Sequence, residues 1–271
     1  KTGTQDTVGA PVKRPRGSKA APRSRPKGGT RRPRVTKPPA PAARSKVDKA
    51  PAPGFRRAPL RLAVIATVYR YLSHAQHFVD RFLVGYPYEG EWRRPNTKVV
   101  SLYVDQTPAG DQSADRAHEF GFEVYPTVAQ ALRCGGPELA VDGIIIIGEH
   151  GDYPYTPDTR QHMYPRRRFF DEIVAAMRRC GQFVPLFNDK HLGYRWEDAR
   201  HMVETARRLR IPLMAGSSIP VTWRYPAREL PIGSRMEQAL VVGHSTSESY
   251  LFHALEGLQC IVERRRGGES G

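Results

Sequence analysis

From residue 62 onward the chain alternates two hydrophobic patterns. Leu62-Ala63-Val64-Ile65-Ala66 is a short unbroken apolar run, the mark of a strand covered on both faces. After it Phe78, Val79, Phe82 and Leu83 recur at helical spacing behind Ser73, a residue suited to cap a helix. Gly85, Pro87, Gly90 and Pro95 then mark a loop before a second strand at residues 99–104. A helix over 111–120 closes at Gly121, a short strand covers 122–125, and Thr127 caps a helix through Leu132. Gly143-Ile144-Ile145-Ile146-Ile147 is the most apolar strand of all. Pro165 opens a helix that buries Phe169, Phe170, Ile173, Val174 and Met177 and stops at Gly181. A strand over 183–187, a helix over 196–209, a strand over 213–215 and the start of another at 239–242 complete the series. Strands alternating with helices of this length predict an α/β fold: a doubly wound, mostly parallel sheet.

Charge divides the chain differently. Residues 1–57 hold 17 Lys and Arg against Asp6 and Asp48, and so carry +15 of the net +16. That segment is Pro-, Ala-, Lys- and Arg-rich with Phe55 as its one aromatic, too poor in apolar surface to offset the entropy of ordering its backbone. Residues 1–58 therefore read as a disordered basic tail, a solubilising or linking arm whose Lys13–Arg16 and Arg31–Arg34 runs could also attract nucleic acid. Residues 59–218 read as the main α/β domain, and residues 219–271 as a linker and the beginning of a further α/β domain. No stretch resembles a signal peptide or is long enough to span a membrane. Cys134, Cys180 and Cys260 are widely spaced and odd in number, which suits free thiols in the cytoplasm better than a disulfide frame or zinc site.

In a doubly wound sheet, ligands collect beyond the carboxyl ends of the strands. Thr67, Asp105, Gly148, Glu149, His150, Asp152 and the Asn188–His191 segment all fall there. Asp105 can accept hydrogen bonds from ribose hydroxyls or act as a turn cap. Lys190, at a strand end, suits proton transfer if it faces a cleft and is a solvated loop residue if it does not. Glu149, His150, Asp152, His162 and His191 match no metal-binding spacing, so no metal is expected. Arg166, Arg167 and Arg168 stand where a helix dipole disfavours cations, and predict a solvated face or an acidic ligand.

The ordered series over residues 62–271 resembles the glucose–fructose oxidoreductase, inositol dehydrogenase and rhizopine-catabolism (Gfo/Idh/MocA) superfamily. Asp105 with Arg116-Ala117-His118-Glu119-Phe120-Gly121 resembles its second strand, acidic residue and "A-x-x-F-G" helix end. Val141-Asp142-Gly143 through Ile147 is similar to "vDaVviatP", and Gly181-Gln182-Phe183 through Lys190 to "aGkhVlcEKP". Phe252-His253-Ala254-Leu255-Glu256 resembles the helix that opens the second domain. The resemblance implies a Rossmann-like domain and NAD(P)-dependent hydride transfer on a sugar, polyol or related hydroxyl compound. It assigns catalysis to Lys190 and His253, and with it the strand-end residues Thr67, Asp105, Gly148, Glu149, His150 and Asp189 become the expected cofactor-binding set. It also implies that an oligomer forms through the remainder of the second domain, the chain from Lys1 reading as a fragment.

Several positions depart from the family pattern. The first turn, Ala66-Thr67-Val68-Tyr69-Arg70-Tyr71, lacks the glycines that let backbone approach a pyrophosphate. Glu-Lys-Pro is replaced by Asp189-Lys190-His191, and Ser249 stands where an acid precedes the histidine, with Glu248 beside it. Three readings follow: an oxidoreductase using NAD or NADP; a non-redox Rossmann-like ligand-binding or interaction protein; and a nucleic-acid-associated protein recruited through its tail.

Overall fold

The computed structural model describes residues 58–244 and 250–268; the basic tail, Glu248 and Ser249 lie outside the described residues. Its centre is a sheet of β1 (Leu60–Ala66), β4 (Thr97–Val104), β5 (Glu123–Val124), β6 (Gly143–Ile147), β7 (Leu186–Asp189) and β8 (Leu213–Gly216). The strands stand in the order β5-β4-β1-β6-β7-β8, and every neighbouring pair is parallel. The α/β, doubly wound expectation therefore holds. The chain winds outward from β1 in one direction and from β6 in the other, so their shared carboxyl end is the point where the order reverses.

Helices α1 (His74–Leu83) and α2 (Ser113–Phe120) cover one face. The other face carries α3 (Val128–Arg133), α4 (Arg166–Cys180) and α5 (Trp196–Leu209). Sequence sets the ends locally. The Ser73 and Thr127 hydroxyls accept from the Gln76 and Gln130 amides and so cap α1 and α3. Gly121 and Gly181 close α2 and α4 in left-handed backbone, which glycine adopts without a Cβ penalty.

Three expectations need correction. The loop after Gly85 contains a small antiparallel hairpin of β2 (Tyr86–Tyr88) and β3 (Glu91–Arg93). The strand expected at 183–187 starts instead at Leu186, because Pro185 has no N–H to give the ladder. Residues 239–242 form no strand, and Leu240 and Val242 are 87% and 83% exposed. Past β8 the chain makes a short 3-10 turn, Ile219–Val221, and later α6 (Phe252–Val262). All three cysteines are unpaired. Among the described residues no helix is long and apolar enough to cross a membrane.

Candidate functional site

The rim at the carboxyl ends of the parallel strands gathers most of the charged groups picked out above. Between β1 and β6, Thr67 is buried, and its hydroxyl donates to the Glu149 carbonyl at 2.6 Å. That bond fixes the start of the loop after β6 and turns the Glu149 side chain toward β7.

There Glu149 holds two cations. One oxygen accepts from Lys190 Nζ at 2.7 Å and the other from Arg166 Nη2 at 2.6 Å. Arg166, whose side chain is 1% exposed, comes from the first turn of α4. Burial alone would raise the Glu149 carboxyl, but the charges of Arg166 and Lys190 outweigh it and hold it at about 2. Gly148 makes room for the arginine: a Cβ there would lie 2.5 Å from Arg166 Cγ. Lys190 and His150 both sit in left-handed backbone, at φ 65° and 68°, a strained state for side chains that is held only where the surroundings impose it. For Lys190 the imposition is visible. The buried Asn188 amide donates to the carbonyls of Asp189, Lys190 and His191, and Lys190 N donates to Gly216 O on β8. Asp189 turns the other way, accepting from His74 Nδ1 at 2.7 Å.

His191 completes the cluster. Its Nε2 lies 2.9 Å from Arg166 Nη1. Guanidinium only donates, so Nε2 accepts, the ring is neutral and the proton sits on Nδ1, which has no partner among the described residues. Burial first and the Arg166 charge second push His191 down to about 3. Burial likewise takes His150 down to about 4.

The rim beyond β4 is built differently. Asp105 accepts from Tyr103 and Arg168 on one oxygen, both at 2.6 Å, and from Tyr153 on the other at 2.7 Å. Burial would raise this carboxyl; the three donors outweigh it and lower it. The loop that delivers Tyr153 is pinned by a reciprocal pair of bonds between the Gln106 side chain and the Asp152 backbone, at 2.8 and 2.9 Å. Asp105 and Lys190 thus share one rim. They do not touch; α4 links them by sending Arg168 to one and Arg166 to the partner of the other.

The glycine-free first turn folds its tyrosines away. Tyr69 is fully buried in the core under α1, its hydroxyl donating to Asp80 at 2.6 Å, while Tyr71 is 66% exposed. Two of the turn's amides are engaged, Thr67 N donating to Ile147 O and Arg70 N to Ser73 Oγ, and just past the turn Leu72 N donates to Gln76 Oε1. His253 lies half-buried on α6, lowered by burial and then by the Lys190 charge, which puts it within electrostatic reach of that lysine. Glu256, one turn on, fastens α6 to the end of β8 by accepting from Ser217 N at 3.0 Å and from its hydroxyl. A cleft of about 860 Å³ opens beside the cluster, reached by Glu149, His150 and His191.

The arginine run is corrected by this geometry. Only Arg166 leaves the solvated face, buried against Glu149; Arg167 and Arg168 stay partly exposed, Arg167 with Asp171 and Asp198, Arg168 with Asp105 and Glu172. A signal for Arg166 was present, because it precedes Phe169, Phe170, Ile173 and Met177 at three, four, seven and eleven positions, on the buried face. Nothing local marked Tyr153 or His74. Among the described residues no group of three or more His, Cys, Asp and Glu is placed to hold a metal ion.

No protein-family model matches the chain. A comparison with curated proteins finds no match either. Solved structures do match. Biliverdin reductase from Synechocystis, in complex with biliverdin and NADP+, is 15% identical at a TM-score of 0.37, over 58% of this chain and 37% of its own. An NAD binding oxidoreductase from Klebsiella pneumoniae is 18% identical at 0.39, over 61% and 36%. A putative myo-inositol dehydrogenase from Sinorhizobium meliloti is 15% identical at 0.35, over 58% and 36%. The matched region spans little more than a third of these proteins.

Proposed function

We propose that the folded region is a small-molecule-binding domain of oxidoreductase-like architecture. Its ligand, a sugar, polyol or related hydroxyl compound, occupies the cleft beside Glu149 and His191, where Lys190 holds or moves a hydroxyl proton. The observation that carries this reading is the buried ion pair of Lys190 and Glu149 at 2.7 Å. A lysine kept in strained backbone, 8% exposed, at a strand end is placed for work on a ligand rather than for solubility. The motif resemblance supplies the ligand class, and the unpaired thiols suit the cytoplasm.

A dinucleotide does not fit the residues as they stand. The carboxylate expected to take ribose hydroxyls is sealed by Tyr103, Tyr153 and Arg168, and two amides of the first turn are spent on Ile147 and Ser73. A second reading, NAD(P)-dependent hydride transfer, is favoured by one observation: His253 feels the Lys190 charge, the pairing that the resemblance assigns to the reacting carbon. On that reading Asp105 is released from Tyr153 and Arg168 before ribose binds.

Lys190→Ala tests the proposal. Binding of hydroxyl compounds, measured by calorimetric titration against a sugar and polyol panel, is expected to weaken at least tenfold in variant protein that circular dichroism shows to be folded. Undiminished binding in the folded variant would make the lysine structural.

A further inference from the structure

The cleft's walls are rich in donors and poor in acceptors. Glu149 is the one acid among the residues that line it, and it is already shared by Arg166 and Lys190. Arg70 and Arg160 also line the cleft, and among the described residues neither meets a carboxylate. Arg160 is held in place by stacking rather than by charge. Its guanidinium lies 5.4 Å from the Tyr155 ring centre, Tyr155 stacks on His162 at 4.2 Å, and His162 meets Tyr164 in a tilted contact at 4.1 Å. Arg166 closes the series 5.1 Å over Tyr164. Five planar groups in a row thus run from the exposed Arg160 to the buried Arg166, fixing a cation at the mouth before any ligand arrives. Deeper in, the Nδ1–H of His191 is buried and, among the described residues, has no acceptor, an unfavourable state unless something supplies one.

We propose that the cleft takes a small anionic ligand, a sugar-sized molecule bearing a carboxylate or a phosphate. Arg70 and Arg160 meet its charge, and the Nδ1–H of His191 is a further donor to its oxygens. The cleft's volume, about 860 Å³, is ample for such a molecule. Two unpaired arginines beside a cluster of two cations and one carboxylate leave the region net positive, and a neutral polyol would leave that charge unanswered. This deepens the proposed function and rests on it: the hydroxyl compound handled by Lys190 is an acid or a phosphate ester.

The test is calorimetric titration of the full chain with glucuronate, glucose 6-phosphate and glucose at constant ionic strength. At least one of the two anionic sugars is expected to bind ten times tighter than glucose or better, and the tighter of the two identifies carboxylate or phosphate. Arg70→Gln and Arg160→Gln, with circular dichroism unchanged, are each expected to weaken that binding about tenfold. Glucose binding as tightly as both, with the affinity lost in Lys190→Ala, would overturn the anionic ligand and leave the hydroxyl-compound reading standing. No saturable binding of any of the three would overturn both. Undiminished binding of an anionic sugar in both arginine variants would place it elsewhere and overturn this inference alone.

Discussion

The two ends of the strand rim are made from similar parts and end in opposite states. Each has a carboxylate just past a parallel strand and an arginine from the first turn of α4. At Asp105 the arginine is 44% exposed, and tyrosines from two directions complete the set, leaving a carboxylate with no task but to hold a loop down. At Glu149 the arginine is buried, a lysine shares the carboxylate, and a cleft opens alongside. The difference lies in what each group still has to offer. The first end is saturated with donors. The second keeps donors in excess, an arrangement that folding alone does not reward and that a ligand would complete.

That contrast breaks most severely at Arg166. Arg166→Ala leaves Glu149 and His191 buried with a partner missing, and an expected loss of about 3–5 kcal/mol, measured by urea unfolding, follows from stripping a buried ion pair. Arg168→Ala at the other end is expected to cost about 1 kcal/mol or less, because that pair is partly solvated. Similar losses at both ends would erase the distinction.

Acid should act at the cleft end in particular. His191 titrates near 6.5 when unfolded and about 3 when folded, and Glu149 near 4.5 and about 2. In both windows the unfolded chain binds more protons, so stability falls as pH drops, first through the histidine below 6.5 and then through the glutamate below 4.5. The slope reaches about 1.4 kcal/mol per pH unit for each group. Urea midpoints at pH 7, 5.5 and 4 should show it, and His191→Asn should cut the slope between 7 and 5.5 by about half, the rest belonging to His150. An unchanged slope in the variant would mean that the histidine is not held neutral.

A separate effect is expected at Tyr153. Tyr153→Phe removes one hydrogen bond from Asp105, about 0.5–1.5 kcal/mol by thermal unfolding, and should loosen the loop tied to Gln106. No loss at all would mean that the seal is made by Arg168 and Tyr103 alone.

Much of the fold was legible because it is written in local chemistry. The isoleucine strand of residues 143–147, the Ser73 and Thr127 caps and the glycine stops needed no knowledge of distant residues. Residues 239–242 misled because β-like composition makes a strand only where it pairs with another strand. The site was legible as a set of positions on one rim, since the doubly wound rule places Asp105, Glu149 and Lys190 there. Its wiring was not. Whether Asp105 is open depends on Tyr153, 48 residues away, and whether Lys190 is paired depends on Glu149, 41 residues away. Arg166 was concealed by habit of thought, since a charge at a helix start is ordinarily solvated, although its spacing from Phe170 and Ile173 set it on the buried face.

The claim on which the rest depends is that the cleft end, and not the Asp105 end, receives the ligand. Titration of the full chain with NADH and NADPH, followed by nicotinamide fluorescence, tests it directly. The account expects no saturation up to about 1 mM of either cofactor, a threshold corresponding to about 4 kcal/mol of binding. Micromolar binding that disappears in Asp105→Asn would show that the carboxylate is open to a ribose, and would contradict it.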